Sequence, residues 1–224
     1  MSLTARAWLS LVALAFVMGL LVFVPAGTLR YWQAWLYLAV FFAAAALVTR
    51  DLMKRDRALL ERRMHGGPTA EKEPAQRIIM VFASLGFISL LVVPGLDHRF
   101  GWSSLSVPVV LAGDVLTAIG FLLVSLVYRE NPFLFATIEV ATNQRVITTG
   151  PYAFVRHPMY AFSSVYLLGT PLALGSWWGL VGLGLMLPFL IWRLLDEEDL
   201  LARRLPGYRE YQQRVRHRLV PGVW

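Results

Sequence analysis

Six long apolar runs are separated by more polar segments along the chain. A run of about 18 or more residues that is almost free of charge is typical of a transmembrane helix. The runs cover residues 7–24, 31–48, 78–96, 104–128, 161–175 and 177–192. The fifth run is short for a full crossing and ends at Gly175 and Ser176, so we expect the last two runs to form a tight helical hairpin. The pattern predicts an all-α membrane protein with six transmembrane helices.

The segment between the fourth and fifth runs predicts where helices stop and restart. Asn131-Pro132 interrupts the fourth run, because proline lacks a backbone donor and restricts the residue before it. Residues 148–152 have the composition of a turn. A helix that begins near His157-Pro158 places its proline in a first turn, where proline is tolerated.

Two further polar segments have helical patterns. The start of segment 50–77 mixes leucine and methionine with charges, which predicts one helix lying at the membrane interface. The tail that follows Trp192 predicts a polar, amphipathic helix, which Pro206-Gly207 divides.

Lys and Arg are distributed very unevenly between alternate segments. Nineteen of the 21 lie before the first run, in segments 50–77 and 129–160, and in the tail from residue 193. The positive-inside rule therefore predicts that these segments and both termini face the cytoplasm, in a bacterial-type inner membrane. We expect the first run to be a retained anchor, because it exceeds a typical signal-peptide h-region and no clean cleavage pattern follows.

Composition supports the membrane assignment and removes several function classes. The 224 residues are 57% hydrophobic and 16% charged, against roughly 25% charged in soluble domains. The chain has no cysteine, which excludes disulfides and thiolate metal sites. The net charge of +7 is explained by basic loops beside the spans, so no nucleic-acid partner is expected.

Candidate chemistry is concentrated on one side of the predicted membrane. The sequence has no glycine-rich dinucleotide fingerprint, P-loop, nucleophile elbow or metal-spaced histidine pair, and we expect no metal. Polar groups cluster instead at the end of the fourth run, at Arg156-His157, and at Arg193 with Glu197 and Glu198. Arg193 and Glu197 are four positions apart and share a helix face. A pocket closed by these groups, with the aromatic residues Tyr152, Phe154 and Tyr160 around it, would suit a charged ligand that carries an adenine ring.

Two sequence motifs resemble those of a known protein family. Residues 144–160 read QRVITTGPYAFVRHPMY, which resembles the cofactor segment of the isoprenylcysteine carboxyl methyltransferase family. Arg193 followed by Glu197-Glu198, and then GYREY at 207–211, resembles the C-terminal signature of that family. The resemblance implies an S-adenosylmethionine-dependent methyltransferase with a cytoplasmic cofactor pocket formed by the C-terminal half. A lipophilic acceptor would enter this pocket from the bilayer.

The resemblance also implies roles for individual residues. Arg193 would face the acceptor and steady its developing charge, and Glu197 is the second implied catalytic residue. Glu197 or Glu198 would bind the cofactor from the opposite wall, and the choice stays open because the spacing to Gly207 is one residue longer than the family pattern. The remaining implied cofactor contacts are Gln144, Arg145, Val146, Ile147, Tyr152, Arg156, His157, Pro158 and Met159.

These assignments divide the chain into two parts. Residues 1–77 are predicted to form an N-terminal transmembrane hairpin with a basic cytoplasmic loop. Residues 78–224 are predicted to form the methyltransferase core, with four transmembrane helices, the cofactor segment 129–160 and the C-terminal amphipathic helix. The expected partners are membrane lipids and a lipophilic small molecule. The sequence leaves the oligomeric state open.

The acceptor and the reaction class have alternatives. The acceptor is the carboxylate of a prenylated thiol-acid, another small isoprenoid or lipid, or the amine of a phospholipid. Membrane sterol and steroid reductases have a similar Arg-His-Pro-x-Tyr segment and bind NADPH, although their pattern usually has Asn where this chain has Met159. A third alternative is a scaffold or transporter, which Asp114 within the fourth run keeps open.

Overall fold

The computed structural model describes residues 1–67, 69–71, 73–140 and 143–224. Within these residues the regular elements are helices, and no β-strand is present. The α-helices, in chain order, are α1 (Leu3–Ala26), α2 (Trp32–Arg55), α3 (Arg57–Met64), α4 (Pro74–Phe100), α5 (Val107–Glu130), α6 (Pro158–Ala173), α7 (Trp178–Arg204) and α8 (Tyr208–Arg214). The predicted all-α class is confirmed.

Among the described residues, five helices are long and apolar enough to cross a membrane, namely α1, α2, α4, α5 and α7. Their outward faces carry large apolar side chains, such as Phe16 on α1 and Leu185 on α7, each 69% exposed. Extensive exposed apolar surface is rare on soluble monomers, whereas lipid tails can cover it. The prediction of a membrane protein is confirmed, and five of the six predicted spans correspond to helices of sufficient length.

The fifth predicted span corresponds to α6, which has 16 residues. At 1.5 Å per residue this helix is about 24 Å long, shorter than the ~30 Å hydrocarbon core of a bilayer. Its C-terminal end nevertheless reaches the end of the bundle where α1 joins α2. There the Tyr31 hydroxyl donates to the Leu174 carbonyl, and Ser176 Oγ donates to Asp97 Oδ2 at 2.5 Å. The sixth crossing stays a prediction.

Tryptophans surround this same end of the bundle. Trp32 and Trp35 lie in the first turn of α2, Trp102 follows α4, and Trp177 and Trp178 lie at the turn between α6 and α7; all five are roughly half exposed. Tryptophan is enriched where a bilayer meets water. The tryptophans therefore indicate a membrane interface at this end, at the level of the α6–α7 turn.

Small residues let α5 and α6 pack with their backbones in close contact. A Cβ atom on Gly120 would lie 2.6 Å from the Tyr166 nitrogen, and one on Gly169 would lie 2.6 Å from the Gly113 oxygen. Small residues at helix crossings are typical of membrane proteins, where close packing drives helix association. This contact fixes α6, which begins at the wall of the candidate site, against α5.

The tight crossing makes α5 sensitive to an added methyl group. Gly113→Ala is expected to destabilise the protein by about 1–3 kcal/mol, because the new Cβ would meet the Ala173 backbone, which cannot move aside as a flexible side chain can. Gly184→Ala in α7 is the matched control, since nothing lies within 4 Å of its added Cβ. Thermal unfolding in detergent measures both variants. An equal melting temperature for the two variants would contradict the tight crossing.

The largest apolar core joins the N-terminal hairpin to the rest of the bundle. It contains buried side chains from α1, α2, α4 and α6, including Met18, Tyr37, Leu91 and Ala173. The domain boundary predicted at residue 77 stays a prediction, and side chains from both sides of it share this core.

The buried Asp114 of α5 lies outside the candidate site. Its side chain is 5% exposed, and neither carboxylate oxygen has a hydrogen-bond partner among the described residues. Asp114 is not among the residues that line the cavity of that site.

The end of the bundle opposite the tryptophans carries the non-spanning elements. The interface helix predicted near the start of segment 50–77 begins later than expected, because α2 continues to Arg55 and the Asp56 side chain then accepts a hydrogen bond from the Leu59 nitrogen at 2.8 Å. This cap starts α3. The divided tail is confirmed: α7 ends at Arg204 and α8 begins at Tyr208.

Candidate active site

A cavity of about 360 Å³ lies at this end of the bundle, within the range of roughly 300–1,000 Å³ typical of small-molecule sites. Residues 131–140, here called the cap segment, form part of its wall, together with α6, α7 and α8. The predicted site residues that line it are Gln144, Arg145, Val146, Ile147, Tyr152, Arg156, His157, Pro158, Met159, Arg193 and Glu197. Every predicted site residue except Glu198 therefore lines the cavity, and the roles of these residues stay predictions.

Local backbone geometry explains how residues 144–160 form one wall. Gly150 has φ +56°, which favours glycine, and it opens a single 3-10 turn, Gly150–Ala153. The Tyr152 hydroxyl accepts a hydrogen bond from Asn131 Nδ2 at 2.8 Å, and the Tyr152 carbonyl accepts one from the Tyr211 hydroxyl at 2.8 Å. Burial raises the pKa of the Tyr152 phenol above its usual range, so the ring stays neutral.

Glu198 does not line the cavity but contacts residues of the cavity wall. Its side chain is 5% exposed, and it accepts hydrogen bonds from Arg156 Nε at 2.5 Å and from Arg218 Nε at 2.8 Å. Arg156 Nη1 also donates to the carbonyls of Val215 and Arg216, each at 2.8 Å. The two arginines and Glu198 therefore join α7 and the C-terminal segment to the Arg-His-Pro turn.

Three residues of the cavity lining have a buried polar atom without a hydrogen-bond partner among the described residues. These atoms are Arg63 Nε, His157 Nε2 and the Tyr208 hydroxyl. His157 and Tyr208 are each 4% exposed. His157 Nε2 lies 3.5 Å from Glu198 Oε1, which is long for a hydrogen bond. Burial raises the pKa of Tyr208, and the nearby charges of Glu198 and Glu197 raise it further, so its phenol keeps its proton. Buried polar groups normally have partners, so His157 and Tyr208 are candidates for contact with a polar ligand in the cavity.

Glu197 lines the cavity on the side of α7. Its Oε2 accepts a hydrogen bond from the Tyr160 hydroxyl at 2.7 Å, which orients the carboxylate. Glu197 is half-buried, whereas Glu198 is buried and is not among the cavity-lining residues. A carboxylate at this position can attract a cation or accept a proton.

Arg193 has polar partners from three segments. Its Nη2 lies 2.7 Å from Glu71 Oε1 and donates to the Ala136 carbonyl at 3.0 Å, while Nη1 donates to Gln76 Oε1 at 2.9 Å. Arg193 is 7% exposed and Glu71 is 2% exposed. The positive charge expected to face the acceptor is thus compensated within the protein.

One end of the cavity is apolar. Its lining there includes Met80 and Ala83 of α4, Leu167 of α6 and Leu190 of α7, all on helices of the apolar bundle. The rest of the lining mixes polar side chains, among them His157 and Glu197, with apolar ones such as Leu201. A site that has both an apolar part and polar side chains can accept a ligand that is partly charged and partly lipophilic.

Sequence reasoning missed several residues of this site. Tyr208 and Tyr211 belong to the GYREY string but were not assigned a site role, although their spacing after Gly207 was a usable signal. Glu71 and Gln76 lie in no recognisable motif. Their contact with Arg193 depends on the tertiary fold, so no local pattern could have identified it.

Comparison with known proteins agrees with the site. Residues 109–206 match the family model described as phospholipid methyltransferase, which belongs to the isoprenylcysteine carboxyl methyltransferase-like group of membrane methyltransferases. The predicted resemblance is thereby confirmed: the matched segment is similar to a family of membrane methyltransferases. The matched segment includes Tyr152, His157, Arg193 and Glu197 but excludes Glu71. No curated protein matches the chain.

Proposed function

We propose that the protein transfers a methyl group from S-adenosylmethionine to a lipid acceptor at the cytoplasmic face of the membrane. The observation that carries this proposal is the cavity that gathers the predicted cofactor residues around two of the unpartnered polar atoms of its lining, His157 Nε2 and the Tyr208 hydroxyl. The cytoplasmic location of the cavity is inferred from the basic segments, which lie at the same end of the bundle as the cavity.

The residues present fit this cofactor. His157 and Tyr208 offer polar atoms for the carboxylate and amino group of its amino-acid end. Glu197 supplies a negative charge suited to a sulfonium, and the backbone of residues 144–147 with Tyr152 forms a wall suited to the nucleoside. When bound, the cofactor would supply the methyl group on its sulfonium centre.

The chain mainly has to align two ligands and keep water out, because methyl transfer is an in-line displacement. The cap segment supports this, since Arg62, Arg63 and Arg193 donate side-chain hydrogen bonds to its carbonyls and so tie it over the cavity. The apolar end beside Met80 and Leu190 would take the lipophilic part of the acceptor.

The charge pattern favours an amine acceptor, such as a phospholipid amine, over a carboxylate. Arg193 is already paired with Glu71, whereas Glu197 carries a carboxylate into the cavity. An ammonium headgroup must lose a proton before its nitrogen can attack, and Glu197 is positioned to accept that proton. The family match to phospholipid methyltransferases agrees with this choice.

Cofactor binding tests the proposal directly. Isothermal titration in detergent is expected to show binding of S-adenosylmethionine and no binding of NADPH. His157→Ala is expected to raise the Kd for S-adenosylmethionine about tenfold or more, since a hydrogen bond to a charged group contributes about 1.5–3 kcal/mol. His65→Ala is the matched control, because His65 is exposed at the end of α3.

The same proteins identify the acceptor. Lipid extracts incubated with wild type and deuteriomethyl-labelled S-adenosylmethionine should contain a species shifted by one labelled methyl group, which His157→Ala should deplete. Binding of NADPH in place of S-adenosylmethionine would replace this proposal with the reductase alternative.

A further inference from the structure

The ion pair between Glu71 and Arg193 joins two parts of the chain that the family match separates. Arg193 lies inside the matched residues 109–206, and Glu71 lies in the segment between α3 and α4, outside them. Both side chains are more than nine-tenths buried, and the nearest oxygen and nitrogen are 2.7 Å apart. The charge state of the matched site therefore depends on a residue of the N-terminal part.

Glu71 is held in position by contacts of its own. Its Oε2 accepts a hydrogen bond from the Ile138 nitrogen of the cap segment at 3.4 Å. Its backbone carbonyl accepts one from Arg77 Nε at 2.8 Å, which fixes the Glu71 backbone against the start of α4. The carboxylate is thus a built part of the cavity surroundings and faces Arg193 from the side of the cap segment.

The other arginines that line the cavity differ from Arg193. Arg156 is paired with Glu198, and Arg63 donates to the Phe135 carbonyl with its guanidinium 5.6 Å from the Tyr128 ring centroid. Arg145 is exposed. Arg193 is therefore the buried lining arginine whose direct ion-pair partner comes from outside the matched segment. Removing Glu71 would leave this buried cation compensated by the charge of Glu197 without a direct ion pair.

We propose that Glu71 determines the acceptor charge that this site accepts, by neutralising Arg193 so that an amine headgroup is preferred over a carboxylate. This inference rests on the proposed methyl transfer. A carboxylate acceptor would have to displace Glu71 from Arg193 and leave it buried and unpaired, which is strongly unfavourable. An amine makes no such demand and is attracted by Glu197. Glu71 acts through Arg193 and is a positioning residue for specificity.

The experiment compares two acceptors on the reconstituted full chain. The protein is reconstituted in phosphatidylglycerol vesicles that also contain either phosphatidylethanolamine or S-farnesyl-N-acetylcysteine. Incorporation of labelled methyl groups gives kcat/KM for each of the two acceptors. Wild type is expected to prefer the amine. Glu71→Gln is expected to raise the acid-to-amine ratio of kcat/KM roughly tenfold, because the unpaired Arg193 then attracts a carboxylate.

Three variants separate this role from a structural one. Glu71→Asp keeps the charge and should keep the wild-type ratio, and so should Glu73→Gln, which removes an exposed carboxylate from the same segment. The double variant Glu71→Gln with Arg193→Gln should lose the gain in acid preference, since its cation is gone. The double variant removes both partners of the ion pair and so leaves no unpaired charge. Its ratio of kcat/KM can therefore still be measured if Glu71→Gln alone fails to fold.

A separate measurement of S-adenosylmethionine binding to wild type distinguishes failure of the proposed function from failure of the proposed role of Glu71. Absent binding would overturn the proposed function. Intact binding with a wild-type preference for the acid, or with a ratio unchanged in Glu71→Gln, would overturn the role of Glu71 alone.

Discussion

Glu197→Gln is expected to lower kcat for methyl transfer by about 10²–10⁴-fold, the range typical for loss of a general base. The amide keeps the size of the side chain and can still accept from the Tyr160 hydroxyl, but it cannot take a proton from an ammonium acceptor. Labelled methyl incorporation into phosphatidylethanolamine at saturating cofactor measures the effect.

Asp199→Asn is the matched control for this change. It makes the same carboxylate-to-amide replacement two residues along α7, at an exposed side chain that pairs with Arg203. Its kcat is expected to stay near the wild-type value. If Glu197→Gln retained kcat within about threefold, proton acceptance by Glu197 would be wrong, since general bases contribute far more.

Glu198→Ala is expected to reduce the free energy of unfolding by about 3–5 kcal/mol, the cost of removing one partner of a buried charge pair. The change would leave Arg156 with no carboxylate and free Arg218 from the same contact. Because Arg156 and His157 form the cavity wall, S-adenosylmethionine binding should weaken as well. Chemical denaturation in mixed micelles and titration calorimetry measure the two effects.

The neighbouring ion pair of Asp199 and Arg203 provides the comparison for stability. Its side chains are 57% and 63% exposed, so solvent screens the interaction. Asp199→Ala should therefore change stability by no more than about 1 kcal/mol. Similar losses for the two alanine variants would show that Glu198 does not organise the wall.

Helix periodicity explains why the structure places the two glutamates on different sides of α7. Residues four apart on a helix share a face, so Arg193 and Glu197 face the cavity together. Glu198 is one further position along, which turns it about 100° away from Glu197, toward Arg156 and Arg218. The family pattern left the choice open because it depends on the spacing to Gly207, which crosses the break between α7 and α8.

Most of the helical architecture was predictable because apolar runs have a direct physical meaning. The runs at 7–24, 31–48, 78–96 and 104–128 fall within α1, α2, α4 and α5 except at a few terminal residues. The start of α6 at Pro158 was also predictable, because proline is tolerated in a first turn, whereas α6 ends at Ala173, two residues before the end of the predicted run. The Glu71 contact could not be predicted, because residues that meet only in the tertiary fold have no local pattern.

The ring of five tryptophans has a consequence for the depth of the cavity. Indole rings settle at the boundary between lipid tails and headgroups, so they anchor one end of the bundle at a fixed height. The cavity lies at the opposite end, separated from this anchor by the length of α6. A thicker bilayer would draw the cavity mouth below the phosphates, and a thinner one would raise it above them. If the acceptor is a lipid headgroup, as proposed, membrane thickness sets how far that headgroup must travel to reach Glu197.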